Sequence, residues 1–215
     1  QMSGLSVPMA HFYVTLLMIG LGLLIDVRVV TALAIVPFAQ MLETGTFYWG
    51  AMYAFYSPES TLSIVQLSIA MAACIAVSGL LVERYRRHTH MFGIMAFIVA
   101  NLCFLVGSLW GDVVGSHIWG PGSYRWNSDM DYSSYTEARE AFRNSTLVIS
   151  EHVYSIVWAV LLIAAAFWSA HTNRRGIFNA AMTFGAIHAY TQAFETFYDE
   201  PLAYVIGGLA AIPLA

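Results

Sequence analysis

Thirteen acidic residues and seven histidines stand out in a chain of 215 residues that is only 10% charged. Several fall within or at the ends of long apolar runs: His11, Glu43, Asp112, His117, Glu151, His152, His188 and Glu195. Imidazole and carboxylate together supply the nitrogen and oxygen donors that copper, iron or zinc accept. The same groups can relay protons inside a membrane. The candidate ligand set is His11, Glu43, Asp112, His117, His152, His188 and Glu195. No tight spacing such as His-x-x-x-His or Glu-x-x-His links them, so their convergence rests on the depth each would share in a bundle. Two helical histidines could instead ligate a b-type haem, and His11 with His152 or His188 would suit that role. His88, His90 and His171 lie beside Arg86, Arg87 and Arg174 and are expected to be solvated at a boundary.

A second group comes from an internal match. Residues 34–44 (AIVPFAQMLET) can be laid over residues 186–196 (AIHAYTQAFET), and both segments lead into a Phe-Tyr pair, Phe47-Tyr48 and Phe197-Tyr198. On a helix, Gln at i and Glu at i+3 share a face. A carboxylate inside a span costs a few kcal/mol unless it is paired or faces the bundle interior. Gln40, Glu43, Gln192 and Glu195 are therefore expected to look inward as buried, proton-handling groups, with His188 on the same face as Gln192. The match also suggests a parallel repeat of the kind found in membrane bundles.

The elements that would carry these residues follow from composition. The chain is 59% hydrophobic, with a mean hydropathy of +0.65, whereas soluble domains are about 25% charged. About 20 apolar residues cross a bilayer. Such runs occupy residues 7–25, 29–47, 62–82, 91–114, 146–170 and 177–198, with a shorter one at 202–215. They are continuous rather than alternating, which argues for helices against strands. The expected fold is an all-α, polytopic membrane bundle of about six to seven spans. It would form a single transmembrane domain over 1–215, with a long outer loop at 116–145.

Basic residues orient the bundle. All nine are arginine. Arg28, Arg84, Arg86, Arg87, Arg174 and Arg175 fall in connections that share one side. Glu59, Asp129, Asp131, Glu137, Glu140, Asp199 and Glu200 fall on the other, together with Arg125, Arg139 and Arg143. The positive-inside rule places the first set in the cytoplasm and the N-terminus outside. Trp49, Trp110, Trp119, Tyr124, Trp126, Tyr132 and Tyr135 would then gather at the outer boundary, as an interfacial belt or as a surface for a partner. The expected location is a membrane of the bacterial inner type.

Other classes are excluded. No face carries enough basic charge for nucleic acid. The lack of lysine excludes retinal held as a Schiff base, and phosphate-loop, dinucleotide and Ser-His-Asp patterns are missing. Cys74 and Cys103 sit inside apolar runs and read as small buried hydrophobes rather than a disulfide. No basic stretch precedes the first run, so a cleavable signal is not expected. Gln1 before Met2 suggests that the sequence begins inside or just before the natural start.

Three segments carry a family resemblance: Arg87 to Trp110 (RHTHMFGIMAFIVANLCFLVGSLW), Asn144 to Ser150 (NSTLVIS) and Gln192-Ala-Phe-Glu195. The first resembles the third helix of subunit III of the haem-copper terminal oxidases. The second resembles the start of that family's next helix, and the third the end of the helix after it. Asn101 stands where that family carries a buried glutamate. The resemblance implies seven helices and a cofactor-free accessory subunit that packs beside a catalytic one and supports proton delivery.

Three functions are compatible with these features. The first is an accessory membrane subunit of a respiratory or photosynthetic oxidoreductase complex, contacting lipid and other membrane subunits. The second is a membrane metalloenzyme or metal-binding subunit with copper, iron or haem near the outer face. The third is a transporter built around an inward carboxylate pair, with Pro37 and Gly45 flanking Glu43.

Overall fold

A computed structural model describes residues 6–121, 131–197 and 205. The chain divides into two compact units, Gln1–Tyr154 and Ser155–Ala215. The described residues are mostly helical, and four helices among them are long and apolar enough to cross a membrane.

The first unit opens with α1 (Val7–Ile25), which coincides with the first apolar run. Pro8 sits in its first turn, where a missing N–H costs nothing. Asp26 closes it in the left-handed conformation, with φ +56°. The second run departs from the expected single span. It forms two short helices, α2 (Arg28–Leu33) and α3 (Ile35–Gln40). Pro37 explains the break: it lacks an N–H, and its ring crowds the carbonyl four residues back, at Leu33, where α2 ends.

The following residues overturn the expectation of no strands. β1 (Gly45–Trp49) and β2 (Met52–Tyr56) form an antiparallel hairpin, with Tyr48 opposite Tyr53 and Phe47 opposite Ala54. Aromatic residues suit a pleated surface. The two-residue connection, Gly50 and Ala51, has positive φ at both positions, +57° and +66°. That is the turn geometry matching the twist of paired strands.

α4 (Ser60–Ser78) and α5 (Glu83–Trp110) form the most extensive helix pair. On α5, Gly93, Ala96, Ala100, Cys103 and Gly107 recur at alternating spacings of three and four. Small residues at that spacing let helices approach closely. Ala96 and Cys103 are buried with Leu67 of α4 and with Ala34 and Ile35 of the α2–α3 segment. Cys74 and Cys103 are both free.

After α5 the chain makes β3 (Asp112–Val113), which pairs with β4 (Val148–Ile149). The expected outer loop contains a helix between these strands, α6 (Tyr132–Ser145). α7 (Glu151–His171) follows and passes into the second unit, where it is joined by α8 (Arg175–Thr196). The four apolar helices are α1, α4, α5 and α7; α8 is not among them. Arg175, Asn179, His188, Gln192 and Glu195 dilute its apolar content. The expected span at 202–215 falls outside the described residues except Val205, as do Tyr124, Arg125, Trp126, Asp129, Asp199 and Glu200.

The internal match does not become a structural repeat. Residues 34–44 start at the α2–α3 junction and end in turns, whereas 186–196 lie wholly within α8. The same Gln-x-x-Glu spacing thus sits on two different backbones, because only the first copy contains a proline.

Candidate functional site

The densest polar arrangement lies where the hairpin, the start of α4 and the end of α5 meet. Glu59, the N-cap residue of α4, is fully buried at 0% exposure. Its carboxylate accepts backbone N–H donors from Gly115 at 2.8 Å, His117 at 2.5 Å and Ile118 at 3.3 Å. Three donors favour the ionised form, but burial outweighs them and holds the carboxyl above its ordinary range. Glu59 thus fixes the loop after β3 onto the start of α4.

Asp112 makes a second fixed point. Its Oδ2 accepts from the Thr61 N–H at 2.8 Å and the Thr61 hydroxyl at 2.5 Å. The Tyr154 hydroxyl approaches the same oxygen at 3.3 Å and Thr61 Oγ1 at 2.5 Å. A carboxylate on the first-turn N–H groups of a helix also opposes the positive end of its dipole. Glu59 and Asp112 together satisfy donors that a buried loop and helix start would otherwise leave open. Behind them, Thr44 lies 2.5 Å from Ser63 and 3.2 Å from Ser57, forming a buried hydroxyl triangle.

Of the candidate ligands, Glu43 and His117 meet directly. His117 Nε2 donates to Glu43 Oε2 at 2.7 Å. Glu43 adopts φ +59°, a conformation that costs a non-glycine side chain on the order of 1 kcal/mol or more and recurs where a group must be aimed. Two carboxylates, Glu43 and Glu59, also raise the Tyr56 hydroxyl above its ordinary range, after the larger effect of burial. Asp112 joins this region through Thr61 and Tyr154 rather than through His117.

The other candidates sit elsewhere. His11 lies half-buried on α1, and its Nδ1 has no hydrogen-bond partner among the described residues. Glu151 and His152 are exposed in the first turn of α7. His188, Gln192 and Glu195 belong to α8. There His188 packs edge-on against Trp158 with centroids 4.8 Å apart, and Gln192 Nε2 donates to Glu195 at 3.1 Å. Gln40, Glu43 and Gln192 are half-buried and Glu195 is exposed. Among the described residues, no group of three or more His, Cys, Asp or Glu side chains is placed to hold a metal ion.

One expectation at the arginine-rich end is corrected. His88 is not solvated; it is 1% exposed. Its Nε2 lies 2.9 Å from Asp26 Oδ1, and its Nδ1 lies 2.7 Å from Thr31 Oγ1. The carboxylate can only accept, so Nε2 carries the proton and Nδ1 accepts from Thr31. Arg84 approaches Asp26 at 3.5 Å. The His88 hydrogen bond, with Arg84 and Arg28 adding to it, holds Asp26 below its ordinary range. His90 and His171 are exposed, as expected.

In the sequence Glu59 reads only as a charge in an outer connection, and Thr61 and Tyr154 are not singled out. The signal for Glu59 was present: an acidic residue directly before Ser60 and a long apolar run marks a helix N-cap. Nothing comparable marks Tyr154, which reads as one more aromatic in an apolar run. No family model matches the chain, and no curated protein or solved structure matches it either.

Proposed function

We propose that the chain is an accessory integral-membrane subunit of an energy-transducing oxidoreductase complex, respiratory or photosynthetic, in a membrane of the bacterial inner type. The observation that carries this reading is how one buried and one half-buried acid are used. Glu59 and Asp112 are committed to backbone N–H groups of the chain itself, which is the work of a scaffold. The exposed apolar faces of α1 and α4, each buried over less than a fifth of its apolar stretch, supply surface for lipid and for neighbouring subunits. The resemblance of residues 87–110 to subunit III of the terminal oxidases supports the same reading. The arginine-rich end would face the cytoplasm.

The test is purification of the tagged chain from its native membrane in a mild detergent. Comigration on a native gel with a species that has haem or copper absorption is expected. A lone monomer that turns over substrate would overturn the reading. A second reading, a metal-binding subunit, is favoured by the Glu43–His117 pair alone. Stoichiometric copper, iron or zinc in the purified chain, lost in a His117→Ala variant, would select it.

A further inference from the structure

We propose that a cavity beside α6 is a binding site for a phosphate-bearing ligand, held by Arg139 and Arg143. The cavity measures about 540 Å³ and lies between α6, the loop 113–121 and the residues that join β2 to α4. That volume is within the range of small-molecule sites. Arg139 and Arg143 are one turn apart on α6, and both line the same space.

Arg139 and Arg143 are solvent-exposed on α6 and, among the described residues, are not tied up by the chain's own acids. Among the described residues neither arginine makes an ion pair or a hydrogen bond. The arginines near the start of α5 behave differently: Arg84 pairs with Asp26, and Arg86 and Arg87 both pair with Glu83. Glu140 lines the cavity with a single negative charge. His117 also lines it, but its Nε2 is held by Glu43. A positive excess remains, beside the hydroxyls of Tyr56 and Thr136.

The shape of the surroundings points the same way. α6 fully buries none of its residues, and Tyr135, Thr136 and Phe142, half-buried, line the cavity. Val113, Pro58 and Phe142 give the cavity an apolar side, which suits an organic body attached to the anion. Two planar guanidinium forks match a phosphate group, whose oxygens can serve both at once; a carboxylate is satisfied by one. The phosphate could belong to a lipid headgroup or to a soluble phosphoester, because both present the same oxygens.

The experiment uses the full chain in a maltoside detergent, which carries no phosphate. One arm measures radiolabelled inorganic phosphate by equilibrium dialysis. The other measures phosphatidylglycerol retained from mixed micelles by native mass spectrometry. Saturable binding is expected in at least one arm. It should weaken about tenfold or more in an Arg139→Gln/Arg143→Gln variant, the scale of a lost charge-assisted hydrogen bond. An Arg86→Gln/Arg87→Gln variant should bind as the parent does. Thr136→Trp, which fills the cavity and keeps both arginines, should also weaken binding. Retention of the lipid without phosphate binding identifies a headgroup site, and phosphate binding identifies a soluble ligand. No binding in either arm, or binding that survives both the double arginine and the Thr136→Trp changes, overturns the proposal.

Discussion

His117 Nε2 and Glu43 Oε2 meet at 2.7 Å although 74 positions separate them. Neither residue is placed by the helix it follows. Glu43 is aimed by a left-handed turn at φ +59°. His117 is aimed by its own backbone N–H, which Glu59 holds at 2.5 Å. Glu59 thus helps to set the pair by holding the His117 backbone.

Removing Glu59 should loosen the whole loop. Glu59→Ala leaves one buried N–H donor, at Gly115, and two part-buried ones, at His117 and Ile118, without an acceptor; a fully buried one costs about 1–3 kcal/mol. We expect a loss of about 3 kcal/mol or more in unfolding free energy, measured by denaturant titration in detergent. Glu59→Gln keeps one acceptor oxygen and should cost less. Hydrogen exchange at residues 115–118 should rise in both variants, more in the alanine one.

The same residue predicts a pH dependence. Burial holds the Glu59 carboxyl above its ordinary value of 4.5. A group raised in the folded state contributes most below its unfolded value and loses that contribution as pH rises through the folded value. The stability of the parent relative to Glu59→Gln should therefore fall as pH is raised above 4.5 and then level off. Parallel melting curves of the two proteins across that window check this, and a constant difference would contradict it.

At the other end of α5, His88 and Asp26 should differ sharply in cost. His88 is 1% exposed, and its loss opens a cavity and orphans the Thr31 hydroxyl. His88→Ala should cost about 2 kcal/mol or more. Asp26 is solvent-exposed, so Asp26→Asn should have a small effect. Its carboxyl is held below its ordinary 3.8, so its contribution is present above that pH and is lost as pH falls through the depressed value. The difference between parent and Asp26→Asn in thermal melts should shrink on acidification.

Two glycines separate packing from propensity. A Cβ at Gly107 would lie 2.5 Å from the Tyr154 ring, whereas one at Gly185 meets nothing within 4 Å. Gly107→Ala should cost about 1–3 kcal/mol by overpacking. It should also displace the Tyr154 hydroxyl from Asp112 and Thr61. Gly185→Ala should be neutral or stabilising by up to about 1 kcal/mol, the helix preference of alanine over glycine. Thermal unfolding of the two variants side by side checks the contrast.

The apolar runs alone were enough to draw α1, α4, α5 and α7, because a stretch long enough to cross a bilayer leaves a continuous mark in composition. They also led to the expectation that Glu43, Asp112 and His117 share one end of a bundle, and the structure joins Glu43 and His117 directly. They did not show that residues 29–56 bend into two short helices and a hairpin. Hydropathy is blind to Pro37 removing an N–H, and to Gly50 and Ala51 supplying the turn. Nor did they single out Glu59, whose partners lie 56 and more positions away. The sequence by itself determined the solvent this chain is built for, since apolar content is a sum over neighbouring residues. Only the tertiary structure decided which carboxylate meets which donor, because a hydrogen bond depends on ångström-scale positions that the chain reaches only once the helices have packed.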